Sequence, residues 1–179
     1  MKVLGNIVKS IVVGLWLIVA IFVTVCLLSY NEFNVPVMGK TSLLIIDNEE
    51  LEPDFKDRDL VIVKRESDKK INVGDKVFFY NGNKSTEYLI NIGEVEDVES
   101  VTAMESTFKI NGQSVSGQYV IGRVNGVSKM ANFGLILSLL TSKWGFIFVV
   151  ILPTLFALVY EVVAIVTEVK KNKGTIVNE

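Results

Sequence analysis

Two long uncharged stretches, one near each end of the chain, constrain the fold more than anything between them. From Ile11 to Leu28 the sequence reads IVVGLWLIVAIFVTVCLL, eighteen residues without a charge. At about 1.5 Å of rise per helical residue this covers roughly 27 Å, close to the hydrocarbon thickness of a bilayer. The second run, WGFIFVVILPTLFALVY from Trp144 to Tyr160, extends past Glu161 through Val162–Val166. Transmembrane helices are therefore expected over 11–30 and 144–166. Half of the 179 residues are hydrophobic, and they crowd into the two ends while the middle carries most of the charge. That distribution argues for membrane anchoring and against one large soluble core.

The charges at the span ends predict an orientation. Lys2 and Lys9 precede the first run, and Lys170, Lys171 and Lys173 follow the second. Residues 31–143 hold seventeen Asp and Glu against thirteen Lys and Arg. The positive-inside rule then places the 1–10 segment and the basic 167–179 tail in the cytoplasm, with 31–143 outside. The expectation is a multi-pass protein of the cell membrane with an extracytoplasmic central domain. A cleaved signal peptide is the rival reading of the first run. Its apolar core is longer than usual for one, and no small-x-small cleavage site follows it, so a retained span is expected. Pro153 is tolerable in a membrane helix when neighbours satisfy the freed carbonyl. Glu161 reads as a side chain that snorkels to the cytoplasmic interface.

Composition excludes several kinds of chemistry. There is no histidine, and the one cysteine, Cys26, lies inside the first apolar run. An internal disulfide, His-based catalysis and a His- or thiolate-ligated metal are all ruled out, and no metal or cofactor is expected. A net charge of −2, with no basic cluster in the middle, makes no electrostatic case for nucleic acid.

Between the spans the hydrophobic period is two. Short β-branched runs recur at Leu43–Ile46, Leu60–Lys64, Lys76–Phe79, Tyr88–Ile92, Val95–Val101, Phe108–Ile110 and Tyr119–Val124. Turn residues punctuate them at Asn72-Val73-Gly74-Asp75, Asn81-Gly82-Asn83 and Asn111-Gly112. This predicts a mostly β fold: a compact antiparallel β domain between two transmembrane helices. Asn81-Gly82 reads as a tight hairpin turn, Asp57-Arg58-Asp59 as a solvated turn. The segment 127–142 is amphipathic enough to lie along the outer membrane face.

Three segments then fall into a familiar order: Glu50-Leu51-Glu52-Pro53-Asp54-Phe55, Asp59-Leu60-Val61-Ile62-Val63-Lys64 and Ile71-Asn72-Val73-Gly74-Asp75-Lys76-Val77-Phe78-Phe79. Together they resemble a type I signal peptidase, in which a Ser-Met-x-Pro box precedes a "gDlvivk" strand and a "vGDvvxF" strand. Phe108 to Gly112 looks like the segment before the family's acidic box. Val120-Ile121-Gly122-Arg123-Val124 is similar to its closing strand, and Phe133 to Pro153 to the second anchor of the endoplasmic-reticulum-type branch.

That resemblance implies a serine nucleophile, a histidine or lysine base and an aspartate, because a serine hydroxyl needs a base to take its proton. At the matching positions this chain has Glu50, Glu87 and Gln113. Ser42 lies eight residues before Glu50, too far for a register slip, and Lys84 reads as a solvated loop lysine. The resemblance therefore implies a pseudo-peptidase that binds, or helps assemble or process, secreted or surface polypeptides at the membrane. Glu50, Leu51, Pro53 and Glu87 are its polypeptide-binding candidates, and an active peptidase or surface-assembly machinery is a further expected partner. Two alternatives stand beside it: an active signal peptidase with a non-standard site, and a structural subunit of a membrane complex.

Overall fold

A computed structural model describes residues 2–47, 51, 54–81, 89–101 and 106–176. The chain divides into two compact units, Met1–Thr24 with Leu139–Glu179, and Val25–Ser138.

The first unit is helical. Helix α1 (Lys2–Leu28) contains a 22-residue apolar stretch, Ile7–Leu28, and a second apolar helical stretch runs for 28 residues from Lys143 to Lys170. Both are long and apolar enough to cross a membrane.

The second stretch is not a regular α-helix. It continues from α2 (Phe133–Thr141) through a turn capped by Ser142, whose Oγ accepts from the Gly145 amide. It then runs as α3 (Lys143–Phe146), a π segment (Ile147–Ile151) and α4 (Leu152–Ile176). Pro153 accounts for the irregularity. Its nitrogen carries no hydrogen to donate to the carbonyl four residues back, and its ring crowds that carbonyl. The residue four back is Val149, and the indole N–H of Trp16 on α1 donates to the Val149 carbonyl at 2.7 Å. The two apolar helices are thus joined by a bond that replaces what proline removes.

Trp16→Phe should destabilise the helix pair in detergent by about 1 kcal/mol, the scale of interhelical bonds in membranes. In a Pro153→Ala background, where residue 153 regains a backbone donor, the same change should cost less. An equal cost in both backgrounds, measured by unfolding in mixed micelles, would refute this link.

Among its described residues the second unit holds nine strands in two antiparallel sheets. The strands are β1 (Val37–Met38), β2 (Thr41–Ile45), β3 (Leu60–Lys64), β4 (Lys76–Asn81), β5 (Leu89–Val101), β6 (Ser106–Ile110), β7 (Gln113–Ser116), β8 (Val120–Arg123) and β9 (Ser128–Met130). One sheet has the order β1-β2-β3-β9 and the other β7-β6-β5-β4-β8. Side-chain alternation explains how they stack. Leu44, Val61 and Val63 of the first sheet meet Phe78, Tyr80, Ile90 and Ile121 of the second in one core. The opposite face of the second sheet buries Val77, Phe79, Phe108, Ile110 and Val120. The opposite face of the first buries Leu43 and Leu60 beneath Leu137 of α2, beside Cys26. Strand β4 is therefore buried on both faces, which is why Val77–Tyr80 reads as a continuous apolar run.

Several expectations change. With 46% helix and 32% strand, the chain as a whole is mixed rather than mostly β; the antiparallel β fold describes the second unit. The runs expected at Tyr88–Ile92 and Val95–Val101 form the single strand β5, with bulges between Val95 and Asp97 and between Val98 and Ser100. Gly93 does not interrupt it. A Cβ at Gly93 would collide with the Ile110 side chain, so glycine serves close strand packing there. Within the amphipathic segment 127–142, β9 pairs with β3 before α2 begins. Asn111-Gly112 is the two-residue turn of the β6–β7 hairpin, both residues at positive φ. The Asn81-Gly82-Asn83 turn lies outside the described residues after Asn81.

Candidate functional site

The residues singled out by the resemblance are distributed as follows. Glu50, Pro53 and Glu87 lie outside the described residues. Leu51 is buried among Phe55, Ile46 and Val61, so its side chain belongs to the inter-sheet core and not to an open groove rim. Gln113 is exposed and pairs with Ile110, which pairs with Val95. The other end of β5, towards residue 87, is Leu89 opposite Asn81. Six residues of strand, about 20 Å at roughly 3.3 Å each, separate Val95 from Leu89. Gln113 is thus placed beside the middle of β5, well removed along the strand from the end that leads to Glu87.

Asp59 departs most from its expected surroundings. Asp57 and Arg58 are exposed and pair with each other at 3.2 Å, as a solvated turn would. Asp59 is 2% exposed. Its carboxylate accepts from the Lys56 amide at 3.0 Å and the Asn132 amide at 3.4 Å, with the Lys129 ammonium at 3.9 Å. It ties the entry of β3 to the segment between β9 and α2, a structural role.

A cleft of about 260 Å³ opens elsewhere in the same unit. Asn31, Glu32 and Phe33 line it together with Val37, Ser42, Arg65, Tyr80, Gln118 and Val120. The Asn31 side chain organises one wall. Its Oδ1 accepts from the Phe33 and Val35 amides at 3.0 Å, and its Nδ2 donates to the Tyr80 hydroxyl at 3.1 Å. The Phe33 ring stacks on Tyr80 with centroids 4.0 Å apart. Arg65 donates to the Gly117 carbonyl at 3.1 Å and lies 3.8 Å from the Asp68 carboxylate. Burial raises the Tyr80 phenol above its usual pKa, and the Asn31 hydrogen bond and the Arg65 charge only partly oppose that. The hydroxyl therefore stays protonated and able to donate.

No protein family, curated protein or solved structure matches this chain.

Among the described residues there is no group of three or more side chains suited to hold a metal ion. Ser42 lines the cleft with Arg65 and Tyr80, and neither of these accepts a proton at neutral pH. The arrangement offers donors to a ligand rather than a nucleophile to a substrate. Sequence reading had set Ser42 aside and passed over Asn31, Arg65 and Tyr80.

Proposed function

We propose that this chain is a signal-peptidase-like membrane protein without an intact catalytic set, which holds secreted or surface polypeptides at the membrane without cutting them. The observation that carries the reading is the packing of the segments that resemble the family. Strand β8 lies far from β3 and β4 in sequence, yet it pairs with β4. Its Gly122 also lies so close to β3 that an added Cβ would be 2.7 Å from Val63. The replaced positions, Glu50, Glu87 and Gln113, supply neither nucleophile nor histidine. Two apolar helices flank the β unit in sequence, and the lysines beyond their outer ends favour cytoplasmic termini with residues 31–143 outside. Polypeptide would bind by strand addition, main-chain bonds giving affinity and side-chain pockets selectivity.

The test is cleavage of a labelled signal-peptide precursor by the purified chain in detergent. Wild type and Glu50→Ala should both leave the precursor intact. Glu50→Ala should weaken retention of the polypeptide by on the order of 1–3 kcal/mol if the carboxylate meets a cation in a partly desolvated groove. Glu50→Ser alone should remain inactive, since a hydroxyl without a base is a poor nucleophile. Wild-type cleavage abolished by Glu50→Ala would make Glu50 catalytic and end this reading.

A further inference from the structure

The cleft holds a serine hydroxyl with a proton to donate. Ser42 is 5% exposed, and its hydroxyl has no hydrogen-bond partner among the described residues. It sits two residues before Leu44 on β2, so its side chain shares the face that Leu44 turns toward Tyr80 and Ile121. No buried side-chain polar atom among the described residues is left without a partner, so this hydroxyl opens onto the cleft and can donate to a ligand there.

The other polar groups there have donors to spare. The Tyr80 hydroxyl accepts from Asn31, which leaves its own proton to give. Arg65 commits one N–H to Gly117, and its guanidinium has five. The rim adds positive charge. Thr41 pairs with Lys64, and the Arg65 amide donates to the Lys40 carbonyl, so Lys40, Lys64 and Arg65 gather at one end of β2 and β3. Lys40 and Lys64 are exposed and have no ion-pair partner among the described residues, whereas Glu32 is the one acid in the lining. Three donors, one of them the Arg65 cation, call for a compact, anionic, oxygen-rich ligand.

The position of the cleft in the chain narrows the source. Asn31 is three residues beyond Leu28, the last residue of the apolar stretch, and three extended residues span at most about 10 Å. The polar zone of a bilayer is of that depth, several ångströms on each side of the hydrocarbon. The stacked Phe33 and Tyr80 rings and Val37 provide an apolar wall for the first carbons of a lipid. About 260 Å³ has room for a phosphate and a few carbons but not for a drug-sized ligand.

We propose that this cleft binds the phosphate of a membrane phospholipid head group, with Ser42, Tyr80 and Arg65 donating to its oxygens. The inference rests on the reading that Ile7–Leu28 crosses the membrane, but not on any peptidase ancestry. Bound lipid would restrain the segment that leads from the helix into the β unit.

The experiment uses the full chain in a neutral detergent, titrated with dihexanoyl phosphatidylglycerol, glycerol 3-phosphate or inorganic phosphate. Binding is read by chemical shifts or hydrogen exchange at Asn31–Phe33 and by thermal unfolding. The lipid should bind and raise the unfolding temperature of wild type. Ser42→Ala and Tyr80→Phe, which remove a donor without removing volume, should each weaken it several-fold, and Arg65→Gln by tenfold or more. Arg65→Lys should fall between. Undiminished affinity in Ser42→Ala and Tyr80→Phe would overturn the proposal, as would no binding by wild type. Glycerol 3-phosphate or inorganic phosphate binding as tightly as the lipid would overturn the lipid source. External protease applied to cells carrying an N-terminal tag tests the spanning helix separately: a protected tag with no lipid binding rejects the cleft alone.

Discussion

Replacing Asp59 with alanine should lower the stability of the β unit by about 2–3 kcal/mol, the cost of orphaning buried donors that had bonded to a charged group. The Lys56 and Asn132 amides would lose their acceptor, and Lys129 its buried counter-charge. The loss should be local to the corner where the backbone already depends on this residue. There the Ile46 amide donates to the Asp59 carbonyl, the Arg58 amide to the Ile46 carbonyl, and the Gly134 amide to the Arg58 carbonyl. Urea denaturation in detergent, with hydrogen exchange at Lys56 and Asn132, measures both the size and the place. Asp57→Ala is the control. Its carboxylate is half exposed in a surface pair with Arg58, and surface pairs contribute little, so that change should stay within about 0.5 kcal/mol. Equal effects of the two substitutions would show that the buried carboxylate does not hold the corner.

The contrast between Asp57 and Asp59 also shows where sequence reading runs out. Asp57-Arg58-Asp59 is a run of three charges before an apolar strand, and charge pattern alone makes all three solvated. What buries Asp59 is the return of the chain more than seventy residues later, when β9 pairs with β3 and Asn132 presents its amide. No local pattern encodes that contact. The long strands were legible for the opposite reason. Leu60–Lys64 and Lys76–Phe79 are dense in β-branched and aromatic residues because they are buried on one or both faces, and burial leaves its mark on composition. Strands β1, β7 and β9 are short and more exposed, so little in their sequence distinguishes them from loop.

The apolar helices were legible from length alone, since lipid-crossing segments need little more than an unbroken hydrophobic run. Their irregularity was half legible. Pro153 announces a freed carbonyl, but that Trp16 supplies the missing donor depends on how two helices 133 residues apart are set against each other. The candidate site follows the same rule. Glu50, Glu87 and Gln113 could be named only through the resemblance, and the structure sets Gln113 beside the middle of β5, near Val95. The cleft residues Asn31, Ser42, Arg65 and Tyr80 come from four separate elements or loops and share no motif. Only the fold brings them together.

Gly122→Ala should cost roughly 1–3 kcal/mol, the range for overpacking a close-packed interior, and Gly122→Val more. Gly122 belongs to β8, in the segment similar to the closing strand of the peptidase family, and it pairs with Phe78 on β4. A Cβ there would lie 2.7 Å from Val63 Cγ1 and 3.1 Å from the Lys64 carbonyl oxygen of β3. Val63 is fully buried and β-branched, so it has no alternative rotamer to yield into. The Lys64 carbonyl is main chain and cannot swing aside. One atom therefore bears on both sheets, since β8 is held to one and β3 is central to the other. The two sites should be strongly coupled. Val63→Ala removes the colliding methyl and alone leaves a cavity, so its cost and that of Gly122→Ala should add to more than the double variant loses. Relief should be incomplete, because the Lys64 carbonyl still stands at 3.1 Å. Unfolding of the four proteins in a double-mutant cycle measures the coupling. Strict additivity would mean that Gly122 is not the point where the two sheets meet.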